Sequence, residues 1–289
     1  MATNITLAQA AVLVDEMWTP ELNDAVEFNF NIIKTFDDRS DQLPHGDRLN
    51  LPAIHHLTTG AKAADTALTP ISLTETEDTF TVSTHRAVAI RVEDIAEIQA
   101  KYEVRANYTD SMSYGISRDM ETDAAGVIDN NTLQTIGTLG TELTDDNLLR
   151  AWQYLEDSAA PSNNRFLVLS PAGAAGVMKL DKFASRLYVP DARVSENAEV
   201  GPVYRAALTI SNLTVGTAPN SDGSMHHKLH FFKIMQRAPT VHSWYSPLDL
   251  AWVVSVDSLY GVFERNEADE AAGVTTRSSL WGVRLRNVK

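Results

Sequence analysis

His226-His227-Lys228-Leu229-His230 is the one stretch whose residue types resemble a set of metal ligands. On a helix His226 and His230 would stand one turn apart and could chelate. The run that follows, Phe231-Phe232-Lys233-Ile234, reads instead as strand, where the two imidazoles point the same way but lie several ångströms apart. No third ligand is near in sequence and no HExxH-type carboxylate accompanies them, so the pattern falls short of a zinc site. His55-His56 is weaker still, since neighbours on a strand face opposite ways. Two acidic pairs could do acid–base work. Asp37-Asp38 sits among turn-forming residues, and Asp145-Asp146 opens a helix, where carboxylates complement the positive end of the dipole. None of the 14 glycines forms a GxGxxG, P-loop or GxSxG pattern, and Gly173-Ala174-Ala175-Gly176 reads as close packing. With no cysteine, disulfides, thiolate metal sites and cysteine nucleophiles are excluded. No catalytic residue, cofactor-binding residue or metal ligand is assigned, and no cofactor is expected.

The elements that would carry any site are easier to read. Thr6-Leu7-Ala8-Gln9 fits a capping box, and Leu7, Ala11, Val14 and Trp18 fall on one helix face before Pro20 stops the pattern. This helix either packs on its own core or is an arm that docks on a neighbouring subunit. Its acidic residues Asp15, Glu16, Glu21, Asp24 and Glu27 suit both readings. Turn residues at 37–47 lead to a short strand over 48–56. The small-residue stretch 58–65 follows, and then a long alternating strand over 71–92, clearest at Phe80, Val82, Val88, Ile90 and Val92. Two strands flanking a pliable tip predict an extended β-hairpin, which is marginal alone in water and must lie against something.

Apolar and small residues then recur at steps of three and four from Ile95 through Met112, Ile116, Met120 and Ala124 to Val127, with no proline until Pro161. The spacing predicts one helix over 94–129, about 54 Å long at 1.5 Å per residue. Its thin stripe, mixed with Ala, Thr and Tyr, suits a helix lying across a sheet better than a coiled coil. An α/β pattern follows. Thr144 caps a helix carrying Leu148, Leu149, Trp152 and Leu155; Arg165 to Ser170 read as a buried strand; Pro171 starts a short helix. Strands are predicted over 208–215, 229–235, 251–265 and 280–286.

Composition narrows the functions. A chain of 289 residues with 44% hydrophobic content can fill one large core or two moderate ones. A net charge of −14 without a Lys/Arg cluster argues against gripping nucleic-acid phosphates. The longest apolar runs, such as 250–256, are far short of the roughly 20 residues that cross a bilayer. No basic residue precedes Lys34, so no signal peptide is read. The expectation is a soluble chain made inside the cell, with no membrane partner.

The order of elements resembles the major capsid protein of tailed bacteriophages, the Hong Kong 97-type fold. Leu73-Thr74-Glu75-Thr76-Glu77-Asp78-Thr79-Phe80-Thr81-Val82, leading to Val88-Ala89-Ile90-Arg91-Val92-Glu93-Asp94-Ile95-Ala96-Glu97-Ile98-Gln99-Ala100, looks like the end of that family's extended loop (E-loop) entering its spine helix. Arg165-Phe166-Leu167-Val168-Leu169-Ser170-Pro171 with Leu180-Asp181-Lys182-Phe183 resembles its axial (A) domain. Leu259-Tyr260-Gly261-Val262 resembles a late strand of its peripheral (P) domain.

The resemblance implies an α+β fold with an N-terminal arm at 1–36 and an E-loop at 37–92. The P-domain would comprise 93–140 and 237–289, with the spine helix at about 94–129, and the A-domain 141–236. It implies self-assembly through pentamers and hexamers into an icosahedral shell around phage DNA, which is enclosed without sequence-specific binding. The shell would form in the host bacterial cytoplasm and end in the virion. Leu7, Val14 and Trp18 in the arm, and Thr59, Gly60, Lys62 and Asp65 at the hairpin tip, are the implied assembly contacts. Some relatives crosslink a hairpin Lys to a neighbour's Asn; Lys62, the only Lys between Lys34 and Lys101, is read here as solvated. With the spine helix starting near residue 94 there is no space for a fused scaffolding segment. A separate scaffolding protein is therefore expected, with a portal protein and optional decoration proteins as further partners. The alternatives are an encapsulin-like nanocompartment shell and, from a different class, a soluble α/β enzyme or ligand-binding module.

Overall fold

A computed structural model describes residues 31–53, 61–62, 64–65, 67, 76–94, 104–130, 134–184, 200–216, 220–265 and 281–288. From Asn31 a 3-10 turn (Ile33–Thr35) leads to a two-residue strand β1 (Asp37–Asp38) and a second turn (Ser40–Gln42). Then come β2 (Arg48–Ala53), β3 (Thr76–Thr81), β4 (Thr84–Glu93) and the long helix α1 (Val104–Asp129). The α/β region holds β5 (Thr135–Gly137), α2 (Asp145–Asp157), β6 (Arg165–Leu169), α3 (Pro171–Met178), α4 (Asp181–Ala184), β7 (Ala206–Ile210) and β8 (Asn220–His227). A 3-10 turn (Lys228–His230) passes the chain to β9 (Phe231–Ser246), β10 (Ala251–Glu264) and β11 (Gly282–Val288).

The strands form three sheets: β1-β9-β10-β4, β5-β11-β8-β6-β7, and the two-stranded ribbon β2-β3. In the first, β10 runs antiparallel to both β9 and β4. Thr240 pairs with Asp257 and Arg237 with Leu259, so Ala238 and Pro239 face Ser258 alone. That bulge accommodates a proline, which cannot donate to the ladder. The helix α1 lies across this sheet as its spacing predicts. Met112 and Ile116 pack on Val254 and Val256, which share a face because they are two residues apart, with Ile90 beside them.

The second sheet is mixed. Leu148, Ala151 and Leu155 of α2 and Val177 of α3 close one face over Leu167, Leu169, Met225, Val283 and Leu285. Both helices start as their sequences dictate. The Thr144 hydroxyl accepts from Asn147 N–H at 3.3 Å, and the Ser170 hydroxyl accepts from Gly173 N–H at 3.0 Å with Pro171 in the first turn. Gly173 and Gly176 are buried packing positions: a Cβ on Gly173 would meet the Asn287 side chain at 3.2 Å. The opposite face, at Val168, meets Ala124, Ala125 and Ile128 of α1 together with Ile32, Phe36 and Phe231.

Several expectations change. The strand predicted over 208–215 is β7 and ends at Ile210; the one predicted over 229–235 is β9, which starts at Phe231 after the 3-10 turn and runs to Ser246. β8 stands at Asn220–His227, where no strand is predicted. The strand predicted over 71–92 is described from Thr76 and is broken at Val82-Ser83. β3 pairs with β2, whereas β4 joins β10 in another sheet. Phe80 and Val82 pack with Phe232, Leu259 and Phe263, on the side of β9–β10 turned away from α1, while Ile90 packs on the α1 side. The alternation keeps its phase through the break although the burial changes sides, so sequence spacing could not show it. Asp37-Asp38 is not a turn but a short parallel strand beside Phe232 and Lys233. The turn follows it, where Ser40 N–H donates to Asp38 Oδ1 at 3.1 Å. Of the helix predicted over 94–129, residues 104–129 are observed; 95–103 and the N-terminal helix lie outside the described residues.

The histidine cluster is the hinge point between the two larger sheets. His226 has no exposed surface, and its ring nitrogens lie 2.8 Å from Ser224 Oγ and 3.2 Å from Thr35 Oγ1. Burial, reinforced by His230 and His227, pushes its pKa down to about 3. The folded state therefore holds His226 neutral, while the unfolded chain takes up a proton below its ordinary value near 6.5. This contribution to stability is complete above pH 6.5 and is lost as pH falls towards 3, reaching about 2 kcal/mol at pH 5. Urea midpoints at pH 7.5 and 5.0 will show that loss in the parent chain and a correspondingly smaller one in His226→Gln. Identical pH slopes would refute the assignment. A second outcome concerns Gly137, at φ +90, where a Cβ would be driven into the Arg286 carbonyl oxygen of β11. Gly137→Ala will cost about 1–3 kcal/mol in the same titration, and a neutral result would mean that the edge pairing of β5 is dispensable.

Candidate functional site

The first surface that could engage another copy is the ribbon. β2 and β3 pair over six registered positions, from Arg48–Thr81 to Ala53–Thr76. The ribbon is anchored on the sheet: Leu43, Leu49, Leu51, Phe80 and Val82 pack with Phe232, Ile234 and Phe263. Beyond β2, Lys62 and Asp65 are both exposed, and Asp65 adopts a left-handed φ of +66, which Asp tolerates better than most residues. Thr59 and Gly60, the other predicted tip contacts, lie outside the described residues, as do Leu7, Val14 and Trp18 of the arm.

The second surface is the far end of the β9–β10 hairpin. Ser246 Oγ donates to Asp249 Oδ2 at 2.8 Å across the turn, and Leu250 takes a φ of +45. Leu248 at the apex is 97% exposed, an extreme for a large apolar residue, and Val241, Trp244, Tyr245 and Leu250 are exposed around it. On the sheet face turned away from α1, Asp257 gathers partners from both flanking strands. Arg237 Nη1 lies 2.8 Å from Oδ2, His85 Nε2 3.2 Å from Oδ2, and His242 Nε2 3.2 Å from Oδ1. Arg237 first, then His85, hold this carboxyl below the usual range. His85 and Asp257 are 172 residues apart in the chain, so no local pattern could have announced the cluster.

The third feature is the start of the described chain, at Asn31–Ile33. Glu121 of α1 has no exposed surface. Its carboxylate accepts from the main-chain N–H groups of Asn31, Ile32 and Ile33 at 2.9, 2.6 and 3.1 Å. These are the donors that the start of a 3-10 turn leaves without partners, and a carboxylate there gains from their combined dipoles. Phe36 stacks on Phe231 with ring centroids 5.0 Å apart, which fixes the same segment from the other side. The stripe on α1 predicted the apolar contacts of this helix but gave no sign that an acidic residue inside it would cap a turn some 90 positions earlier.

Elsewhere the titratable groups serve structure. Burial and the neighbouring Asp129 push Asp222 up to about 6, beside Arg284 and Arg286. The Arg165 side chain has no exposed surface, and it donates to Glu156, to the Pro161 carbonyl and to the Ala160 carbonyl at 2.7, 2.8 and 2.7 Å, closing the loop into β6. Among the described residues no three His, Cys, Asp or Glu side chains converge as metal ligands, and no helix is long and apolar enough to cross a membrane.

No protein-family model matches the sequence, and no curated protein matches it. Solved structures do. A chain from Mycobacterium phage Che8 superposes with a TM-score of 0.79 at 15% identity, covering 94% of this chain and 96% of that one. A chain in the capsid of the cyanophage P-SCSP1u gives 0.74 at 14% identity, with 95% and 93% covered. One from the capsid of a native GTA particle gives 0.71 at 10% identity over the whole of both chains. Likeness at such low identity is likeness of fold, and it runs nearly from end to end: this chain has the Hong Kong 97-type fold of phage capsid subunits.

Proposed function

We propose that this chain is a major capsid protein, which assembles with copies of itself into the icosahedral shell of a tailed phage. The observation that carries this reading is the near-complete mutual coverage with capsid chains. No catalytic role is proposed. The exposed features fit the same reading. A two-stranded ribbon is marginal by itself and gains stability by lying on a neighbour. Head-to-tail contacts that close by rotation build rings, here the pentamers and hexamers of a shell.

Under this reading residues 1–36 are the arm, 37–92 the E-loop, 93–140 with 237–289 the P-domain, and 141–236 the A-domain. Leu7, Val14, Trp18, Thr59, Gly60, Lys62 and Asp65 are contact residues. A separate scaffolding protein guides assembly in the host cytoplasm, a portal protein takes one vertex, and decoration proteins are an optional addition. The product is the virion. Double-stranded DNA lies inside it by proximity; the net charge of −14 suits a wall to which phosphates do not adhere.

Expression of the chain with and without a scaffolding partner, followed by negative-stain electron microscopy, tests this reading. Uniform shells, or capsid-like rings and tubes, are expected. A persistently monodisperse small oligomer stabilised by a small ligand would replace the reading with an enzyme or binding module. Deleting residues 58–65 will leave the subunit folded, with a far-ultraviolet spectrum and urea midpoint close to the parent, but will abolish shells. Unfolding of that variant would mean that the segment belongs to the core.

A further inference from the structure

The geometry around Glu121 points to a residue that positions the N-terminal arm: we propose that its carboxylate fixes the place and direction from which residues 1–30 leave the subunit, and that assembly through the arm depends on it. The inference rests on the capsid reading above for its assembly consequence, but not for its structural part.

Glu121 is unusual among the buried groups. Arg165 meets Glu156, and His230 meets Glu264 at 3.3 Å. The Glu121 carboxylate instead accepts three consecutive main-chain N–H groups, those of Asn31, Ile32 and Ile33. Three successive donors aimed at one anion form a concave nest, which sets the local backbone direction more firmly than a single bond can. Asn31 is also held on its other side, where its Nδ2 donates to the Ile210 carbonyl at the end of β7, at 3.2 Å. The chain before Asn31 therefore departs from one fixed point, between the middle of α1 and the edge of the five-stranded sheet.

Downstream attachments do not depend on this anchor. Thr35 Oγ1 lies 3.2 Å from His226 Nε2, Phe36 stacks on Phe231, and β1 pairs with β9. Loss of the carboxylate would leave residues 35–38 in place and free only the exit. Glu121→Gln keeps the shape but offers the nest one acceptor oxygen in place of two, and turns an N–H₂ group towards its donors.

The full-length chain and its Glu121→Gln form are compared by hydrogen exchange, by limited proteolysis and by the concentration at which shells appear. Exchange at residues 31–33 is expected to quicken at least tenfold, and cleavage within residues 1–36 to accelerate, while β6 and β8 keep their protection. The assembly threshold is expected to rise several-fold. Val14→Asp with Trp18→Asp, made in the full-length chain, will raise it likewise, and adding Glu121→Gln to that pair will raise it no further. Unchanged exchange at 31–33 overturns the anchoring role. Additive assembly defects overturn the arm as its route, because Glu121 would then act through the body of the subunit. If Glu121→Gln does not fold, Glu121→Asp, which keeps the charge but withdraws it by one methylene, is read by the same measurements and criteria. If the parent chain forms no shells with any scaffold, the capsid reading fails, while exchange and proteolysis still decide the anchor.

Discussion

Met112 and Ile116 lie against Val254, Val256 and Ile90, whereas Ala124, Ala125 and Ile128, about three turns further along α1, lie with Val168 and Phe231. One helix is thus buried by two sheets that share no strand pairing with each other. The first stretch is covered by the β1-β9-β10-β4 sheet, and the second by residues of both sheets, so the helix bridges the two. Its polar residues are drawn into the same task. Asp123 accepts from Tyr260 at 2.7 Å and from Arg86 at 3.3 Å, tying the helix to β10 and β4. Glu121, two residues earlier and so on the opposite side of the helix, ties it to Asn31, Ile32 and Ile33.

The two sheets are also joined covalently, and in one place with little freedom. Between β8 and β9 the chain turns from one sheet to the other within Lys228–His230. The three imidazoles there fill that corner. His226 packs edge-on to Phe231, His230 packs edge-on to the same ring, and His227 packs edge-on to Trp281. What resembles a metal set in the sequence is a set of aromatic packing pieces, and in His226 both ring nitrogens lie within reach of hydroxyls, Ser224 Oγ and Thr35 Oγ1.

What could be read from the sequence follows the range of the interaction. Thr144, Ser170 and Pro171 announce their helices because a cap acts within three residues. The stripe Met112–Ile116–Met120–Ala124 announces burial because a helix repeats on itself. The split at Val82-Ser83 was hidden because both halves alternate in phase and differ only in which distant strand they join. Asp37-Asp38 differs for a related reason: two turn-forming residues form a strand because β9 offers them an edge. At the candidate site, only the exposure of Lys62 and Asp65 was foreseeable from the composition of the tip. Glu121 draws its partners from 88 to 90 residues away, and Asp257 takes His85 from 172 away; nothing near them in the chain marks either as different from the other acidic residues.

The ribbon β2-β3 has one further consequence. Each strand has a single partner, so each keeps one ladder edge without a strand beside it among the described residues. Surface of that kind is completed by another molecule or by water, and mass action decides between them. Were copies of this chain to supply that partner, as the proposed assembly requires, the order of the ribbon would depend on how many copies are present. A shell would then begin to close only once the copies were abundant.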